Sequence, residues 1–81
     1  MNMIKLEILS PQQVIAKEVA VSQIVIPAHW GQMCILPGHT AFTTLLTKGL
    51  VRYQAGQQTH EHNIEGGFFV IKNNTASILI V

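Results

Sequence analysis

Ile35-Leu36-Pro37-Gly38-His39 and, further along, Gly66-Gly67-Phe68-Phe69-Val70 set turn-forming residues directly against apolar and aromatic runs. The chain around them follows the same plan. Ile4, Leu6 and Ile8 alternate with Lys5 and Glu7, the period of two that turns one face to a core and the other to water. Ser10-Pro11-Gln12-Gln13 reads as a turn, because proline fixes φ and removes a donor where pairing should stop. From Val14 to Ile26 β-branched residues are dense, interrupted at Lys17-Glu18 and Ser22-Gln23. That predicts two short strands with a tight corner, and Pro27 is expected to end the pairing. Lys48-Gly49 and Ala55-Gly56 read as hairpin-like connections, and Asn73-Asn74 can supply the positive φ angles of a two-residue turn. Turn signals recur about every eight to twelve residues, the spacing of a sandwich or barrel.

Helix has little support. Thr40 to Leu46 is the one candidate, but its threonines disfavour helix, and Phe42, Leu45 and Leu46 could equally be strand residues facing both ways. There is no internal repeat, low-complexity tract or linker. The fold predicted is all-β: a two-sheet antiparallel β-sandwich of about nine or ten short strands, one domain over residues 1–81.

Composition bounds the possibilities. In a chain of 81 residues roughly 60% of the unfolded surface can be buried, which gives a core of modest worth. An apolar fraction of 48% with 11% charged residues excludes a disordered tail. Five basic against four acidic side chains leave no electrostatic footprint for nucleic acid. The surface is therefore expected to be uncharged polar or partly apolar. Cys34, the single cysteine, cannot form an internal disulfide, which fits a reducing compartment. The N-terminal run Met1-Asn2-Met3-Ile4-Lys5-Leu6-Glu7 carries charges inside its first apolar stretch and no cleavage-like small residues, so it does not read as a signal peptide. No apolar stretch approaches the roughly 18 to 20 residues of a spanning helix. Any membrane association is expected to come through another protein.

Four segments, in order, carry a family resemblance. Gly31-Gln32-Met33-Cys34-Ile35-Leu36-Pro37-Gly38-His39 resembles the "G-acidic-apolar-G-apolar-L-P-G-H" loop of the epsilon subunit of rotary F-type ATP synthases. Gly66-Gly67-Phe68-Phe69-Val70 is similar to that family's S-G-G run into a strand. Ile8-Leu9-Ser10-Pro11-Gln12 is similar to its opening "I-V-T/S-P-E", and Gly49-Leu50-Val51-Arg52 to its "P-G-x-x-R" turn. The resemblance spans nearly the whole chain and concerns the N-terminal β-sandwich domain of the family. It implies a rotor coupling subunit of the central stalk, linking the gamma subunit to the membrane c ring and not catalytic by itself. It also implies a peripheral place on the cytoplasmic face of the bacterial inner membrane. The matching loop of the family meets the c ring, which assigns His29, Trp30, Gly31 and Gln32 to the ring side. The Pro-Gly-His end faces gamma, which assigns His39 and Thr40 to that side. No catalytic residue, cofactor or metal is implied.

Three departures from the family pattern bear on that reading. Gln32 stands where the family usually has Glu or Asp, so a charge-assisted contact to a basic ring loop becomes an amide contact, weaker by roughly half. Cys34 stands where the family usually has Gly; if that position requires positive φ, cysteine is strained by about 1 kcal/mol or more. The string Ile35 to Thr43 also resembles the alternate, sodium-translocating branch, whose loops read "I-L-P-G-H-A-D-F-L". Finally, the family continues past its last strand into a two-helix domain that senses nucleotide and brakes the catalytic head, whereas this sequence ends at Ile78-Leu79-Ile80-Val81. If 81 residues is the natural length, the protein is expected to keep the coupling module and lack the brake; if the sequence is a piece of a longer chain, the part beyond it is the regulatory one.

Read from the residues alone, the Pro27 to His39 segment places Trp30 and Met33 beside two histidines. Trp and Met are enriched at interface centres, yet either could instead fold back as a lid on the core. A competing function is a small cupin-like metal-binding β-domain. His60-Glu61-His62 puts two imidazoles on one face of a strand, about 7 Å apart, with Glu65 following. Cupins use a longer spacing to the glutamate and a second, distant histidine motif; the solvated face of an edge strand is the plainer reading. Catalysis has less support still, with no Asp in the chain and four glutamates scattered singly over predicted strands. No glycine cluster is followed by the helix and lysine of a phosphate-binding loop.

Overall fold

The computed structural model describes residues 3–81; Met1 and Asn2, part of the N-terminal run read above, lie outside them. The described chain forms nine strands: β1 (Ile4–Leu9), β2 (Val14–Val21), β3 (Gln23–Ala28), β4 (Gly31–Ile35), β5 (Phe42–Leu46), β6 (Gly49–Ala55), β7 (Gln58–Ile64), β8 (Gly67–Lys72) and β9 (Thr75–Ile80). Their spatial order is β2-β1-β9-β8-β5-β3-β6-β7, with β4 on β3. The sheet curls on itself so that alternate residues of every strand face one interior. Thr40 to Leu46 is strand from Phe42 onward, as the threonines favoured.

All pairings are antiparallel except one: β9 lies parallel to β1, from Lys5↔Thr75 to Leu9↔Leu79. The all-antiparallel expectation misses this pair because sequence alternation fixes which face a residue takes and carries no information on strand direction. The hairpins behave as their residues suggest. Asn73 and Asn74 form the β8–β9 turn with φ of 52° and 56°, and the β6–β7 turn follows Ala55. In the Gly66-Gly67 pair it is Gly67 that cannot carry a side chain, because a Cβ there would run into the Leu79 carbonyl of β9.

Two other punctuation marks have different structural meanings. Lys48-Gly49 is a corner, not a hairpin. β5 meets β3 only at Ala28↔Leu46, and the chain continues as β6 along the same edge of β3, from Val25↔Arg52 to Gln23↔Gln54. At this corner Thr47 N donates to Pro27 O at 2.9 Å, and a Cβ on Gly49 would lie 2.8 Å from Pro27 Cβ. Pro27 does not end the pairing: it stays within β3, opposite Gln32 of β4. In an antiparallel ladder a residue's N and O address the same neighbour. Pro27 O faces the corner at Thr47, so its nitrogen does too, where the register is already interrupted and no donor is needed.

The Lys17-Glu18 interruption is a bulge within β2, where Glu18 takes a φ of 51° and the register against β1 shifts. The expected corner between two strands falls at Ser22, between β2 and β3, and Ser22 N donates to Gln54 O at 2.9 Å. Between them Ser22 and the Thr47-Lys48 corner carry the chain from one half of the sheet to the other. Ile4, Leu6, Ile8, Val21, Ile24, Ile26, Ile35, Phe69 and Ile78 are fully buried in the resulting core. Cys34 is exposed on β4 and is not among the residues of positive φ, so the strain considered for it does not arise.

Candidate functional site

β4 separates two groups of candidate contact residues by about 13 Å of strand. At its start, His29 and Trp30 form the loop of the β3–β4 hairpin, and Gly31 follows with a φ of 134°. His29 N donates to Leu45 O at 3.0 Å, tying the hairpin to β5. Trp30 is 63% exposed, whereas Met33 is half-buried and packs against the core. The alternation explains the split, since Met33 lies opposite Ile26 on the inward face and Trp30 sits in the turn. Gln32 is exposed on the outward face. With Val25, Pro27, Leu50 and Arg52 it lines a shallow hollow of about 260 Å³.

Beyond the other end of β4 lies the Pro37-Gly38-His39-Thr40 loop. His39 N donates to Leu36 O at 3.2 Å, closing a tight turn in which Gly38 has a φ of 84°. Gly38 N donates to the side-chain Oδ1 of Asn74 at 2.6 Å. The His39 ring is half-buried and packs on Phe42, which in turn packs on the core residue Phe69. His39 Nδ1 lies 2.7 Å from Thr40 O. A carbonyl only accepts, so Nδ1 carries a proton in this contact. Thr40 is exposed.

A third surface escaped the sequence reading. Leu45 lies opposite Phe68, Phe68 opposite Leu79, Leu79 opposite Leu9, and Leu9 opposite Val14. These five residues make one apolar row across β5, β8, β9, β1 and β2 on the outside of the sheet. Leu45 is 61% exposed and Val14 55%. The neighbouring row of Thr43, Val70, Ser77 and Glu7 is mostly polar, and Ser77 Oγ donates to Glu7 at 3.1 Å. An aligned apolar row beside a polar one marks a contact surface more specifically than scattered apolar residues do. The signal was present as consecutive apolar pairs, Ile8-Leu9, Leu45-Leu46, Phe68-Phe69 and Ile78-Leu79, each with one member inside and one out.

The histidines of β7 pack on a core tyrosine. His60 stands opposite Tyr53 and His62 opposite Val51, and both rings stack on Tyr53, with centroids 5.1 and 6.1 Å away. They lid the core along an edge strand. Glu61, on the other face, pairs with Arg52 at 3.0 Å, and Glu65 lies exposed beyond the strand. Among the described residues no group of three or more His, Cys, Asp or Glu is placed to hold a metal ion. The cupin-like alternative is not supported.

A small curled β-sheet that offers side chains from its two ends and one outer face defines the class of this chain. It belongs to the family described as ATP synthase, delta/epsilon chain, beta-sandwich domain, which matches residues 3–80. The ATP synthase epsilon chain of Carboxydothermus hydrogenoformans is 37% identical over 94% of this chain and 56% of its own length. That of Leptospira interrogans serovar copenhageni is 32% identical over 96% of this chain and 61% of its own. This chain thus spans little more than half the length of these relatives. Among solved structures, it is similar to a chain of the Euglena gracilis mitochondrial ATP synthase, solved in an assembly that includes the c-ring. The TM-score there is 0.94 at 25% identity, over all of this chain and 52% of that one.

Proposed function

We propose that the chain is the central-stalk coupling module of a rotary F-type ATP synthase, linking the gamma subunit to the c ring. The observation that carries this reading is the fit over its whole length, at a TM-score of 0.94, to a chain of a synthase assembly that includes the c-ring. His29, Trp30, Gly31 and Gln32 meet the ring, and His39 and Thr40 meet gamma. The separation of the two groups by the length of β4 supports two partners rather than one. The apolar row from Leu45 to Val14 is covered within the assembly. The module sits peripherally at the membrane, held there by its partners.

Mechanically, the module transmits torque as a stiff wedge. Its strands are paired through two corners into one sheet around one close-packed core, and such an interior deforms little under load. Nucleotide sensing is assigned to none of the 81 residues. The test is co-purification of this chain with the gamma subunit of the same organism, followed by restoration of coupled ATP synthesis in a synthase stripped of its own epsilon subunit. Failure to bind gamma would overturn the proposal.

A further inference from the structure

Asn74 and the Pro37-Gly38-His39 loop are far apart in sequence and belong to different connections, one joining β8 to β9 and the other β4 to β5. Their meeting is specific. The Asn74 Oδ1 accepts from Gly38 N at 2.6 Å, the one side-chain hydrogen bond that ties the loop to another segment among the described residues. The rest of the loop's bonding is internal, through Leu36 O and Thr40 O. Between the two connections, Gly38, His39, Thr40, Ala41, Asn73 and Asn74 line a shallow crevice of about 350 Å³. Asn74 therefore sets both where the loop stands and how far the crevice opens beside His39.

We propose that Asn74 is a positioning residue for the gamma contact: by holding Gly38 it presents the His39 ring and the adjoining crevice in the orientation that gamma binds. This inference rests on the reading of His39 as a gamma contact. A residue at this position has two separable duties. The turn needs a residue that accepts a φ of 56°, which Asn, Asp and Gly do readily, and the loop needs a side-chain acceptor. Gly keeps the first and loses the second, whereas Asp keeps both. Ala would strain the turn and confuse the two.

The experiment compares the full chain with Asn74→Gly, Asn74→Asp and His39→Ala. It measures affinity for the same organism's gamma subunit, the thermal midpoint, and amide hydrogen exchange at Gly38 in the free protein. In Asn74→Gly, loss of one oriented hydrogen bond is expected to speed Gly38 exchange and to weaken gamma binding about five- to tenfold. The thermal midpoint should change little, and Asn74→Asp should retain both the protection and the affinity. Loss in Asn74→Gly, which keeps the turn, together with retention in Asn74→Asp is the pattern that a purely structural role in the turn would not give. If His39→Ala weakens binding while Asn74→Gly binds as tightly as the parent, the positioning role is overturned and the gamma reading stands. If His39→Ala has no effect on gamma affinity, the gamma reading itself fails and this inference falls with it.

Discussion

His39 packs its ring on Phe42, with centroids 5.0 Å apart and planes tilted by 43°, and Phe42 carries that contact inward to Phe69. A loop histidine is thereby backed by the core without being part of it. His39→Ala is expected to weaken gamma binding by about 1 to 2 kcal/mol with little loss of fold stability. His39→Gln, whose carboxamide reaches about as far as Nε2, should recover part of the affinity. Calorimetric titration with gamma and a thermal melt on the same samples decide the matter. A fall in melting temperature that precedes any loss of binding would make His39 a packing residue.

Gln32→Glu restores the acidic character that the family usually has at this position. It should leave gamma affinity unchanged and strengthen attachment to a ring whose facing loop is basic, with the gain shrinking as salt is raised. Retention of the chain on ring-containing membranes at two ionic strengths measures this. Equal effects of Gln32→Glu and His39→Ala on gamma affinity would overturn the assignment of the two ends.

The apolar row predicts a loss of assembly without a loss of fold. Replacing Leu45 and Phe68 by Thr puts β-branched residues that suit an exposed sheet face in their place and removes the aligned apolar contact. Retention in the assembled complex should fall by about 2 kcal/mol or more, while the far-ultraviolet spectrum of the free chain stays unchanged. By contrast, Phe69→Ala, one residue along and fully buried, should cost about 3 to 5 kcal/mol of stability, enough to unfold a domain of this size.

The isolated chain is expected to fold into a β-rich domain without added metal or nucleotide, because patterning, turn residues and core agree along its length. A far-ultraviolet spectrum dominated by helix or disorder would contradict this, as would stoichiometric metal in tag-free protein. Cys34, exposed on β4, should react fully with a thiol reagent in the native state.

Much of this architecture was legible in the residues. Alternation at Ile4, Leu6 and Ile8, and the Asn73-Asn74 pair, translate directly into a strand face and a turn because each acts through local sterics. Pro27 and Lys48-Gly49 misled for a shared reason. Both mark a place where β3 changes neighbour from β5 to β6, and a proline or glycine that usually stops a strand there merely bends it. The apolar row was half visible: consecutive apolar pairs show that both faces of a strand are apolar. That five such strands line up in register requires the topology, including a parallel pair that no local signal encodes. The two ends of β4 were named by family likeness. Asn74 escaped notice because its turn duty fully accounts for an asparagine, and nothing in the chain announces a second one.

The parallel pairing of β1 with β9 has a consequence for how the chain is made. Because β9 occupies the middle of the sheet, between β8 and β1, a ribosome that has yet to release residues 75–80 holds the sheet in two parts, β2-β1 and β8-β5-β3-β6-β7 with β4 on β3, joined at the Ser22 corner. Each piece has an open edge and an uncovered apolar face, the condition under which nascent strands pair with the wrong neighbour. Contacts as distant as Lys5 and Thr75 also slow closure. The rate of synthesis through β9, and chaperone access while β9 is still in the exit tunnel, are therefore expected to govern how much of the chain folds correctly.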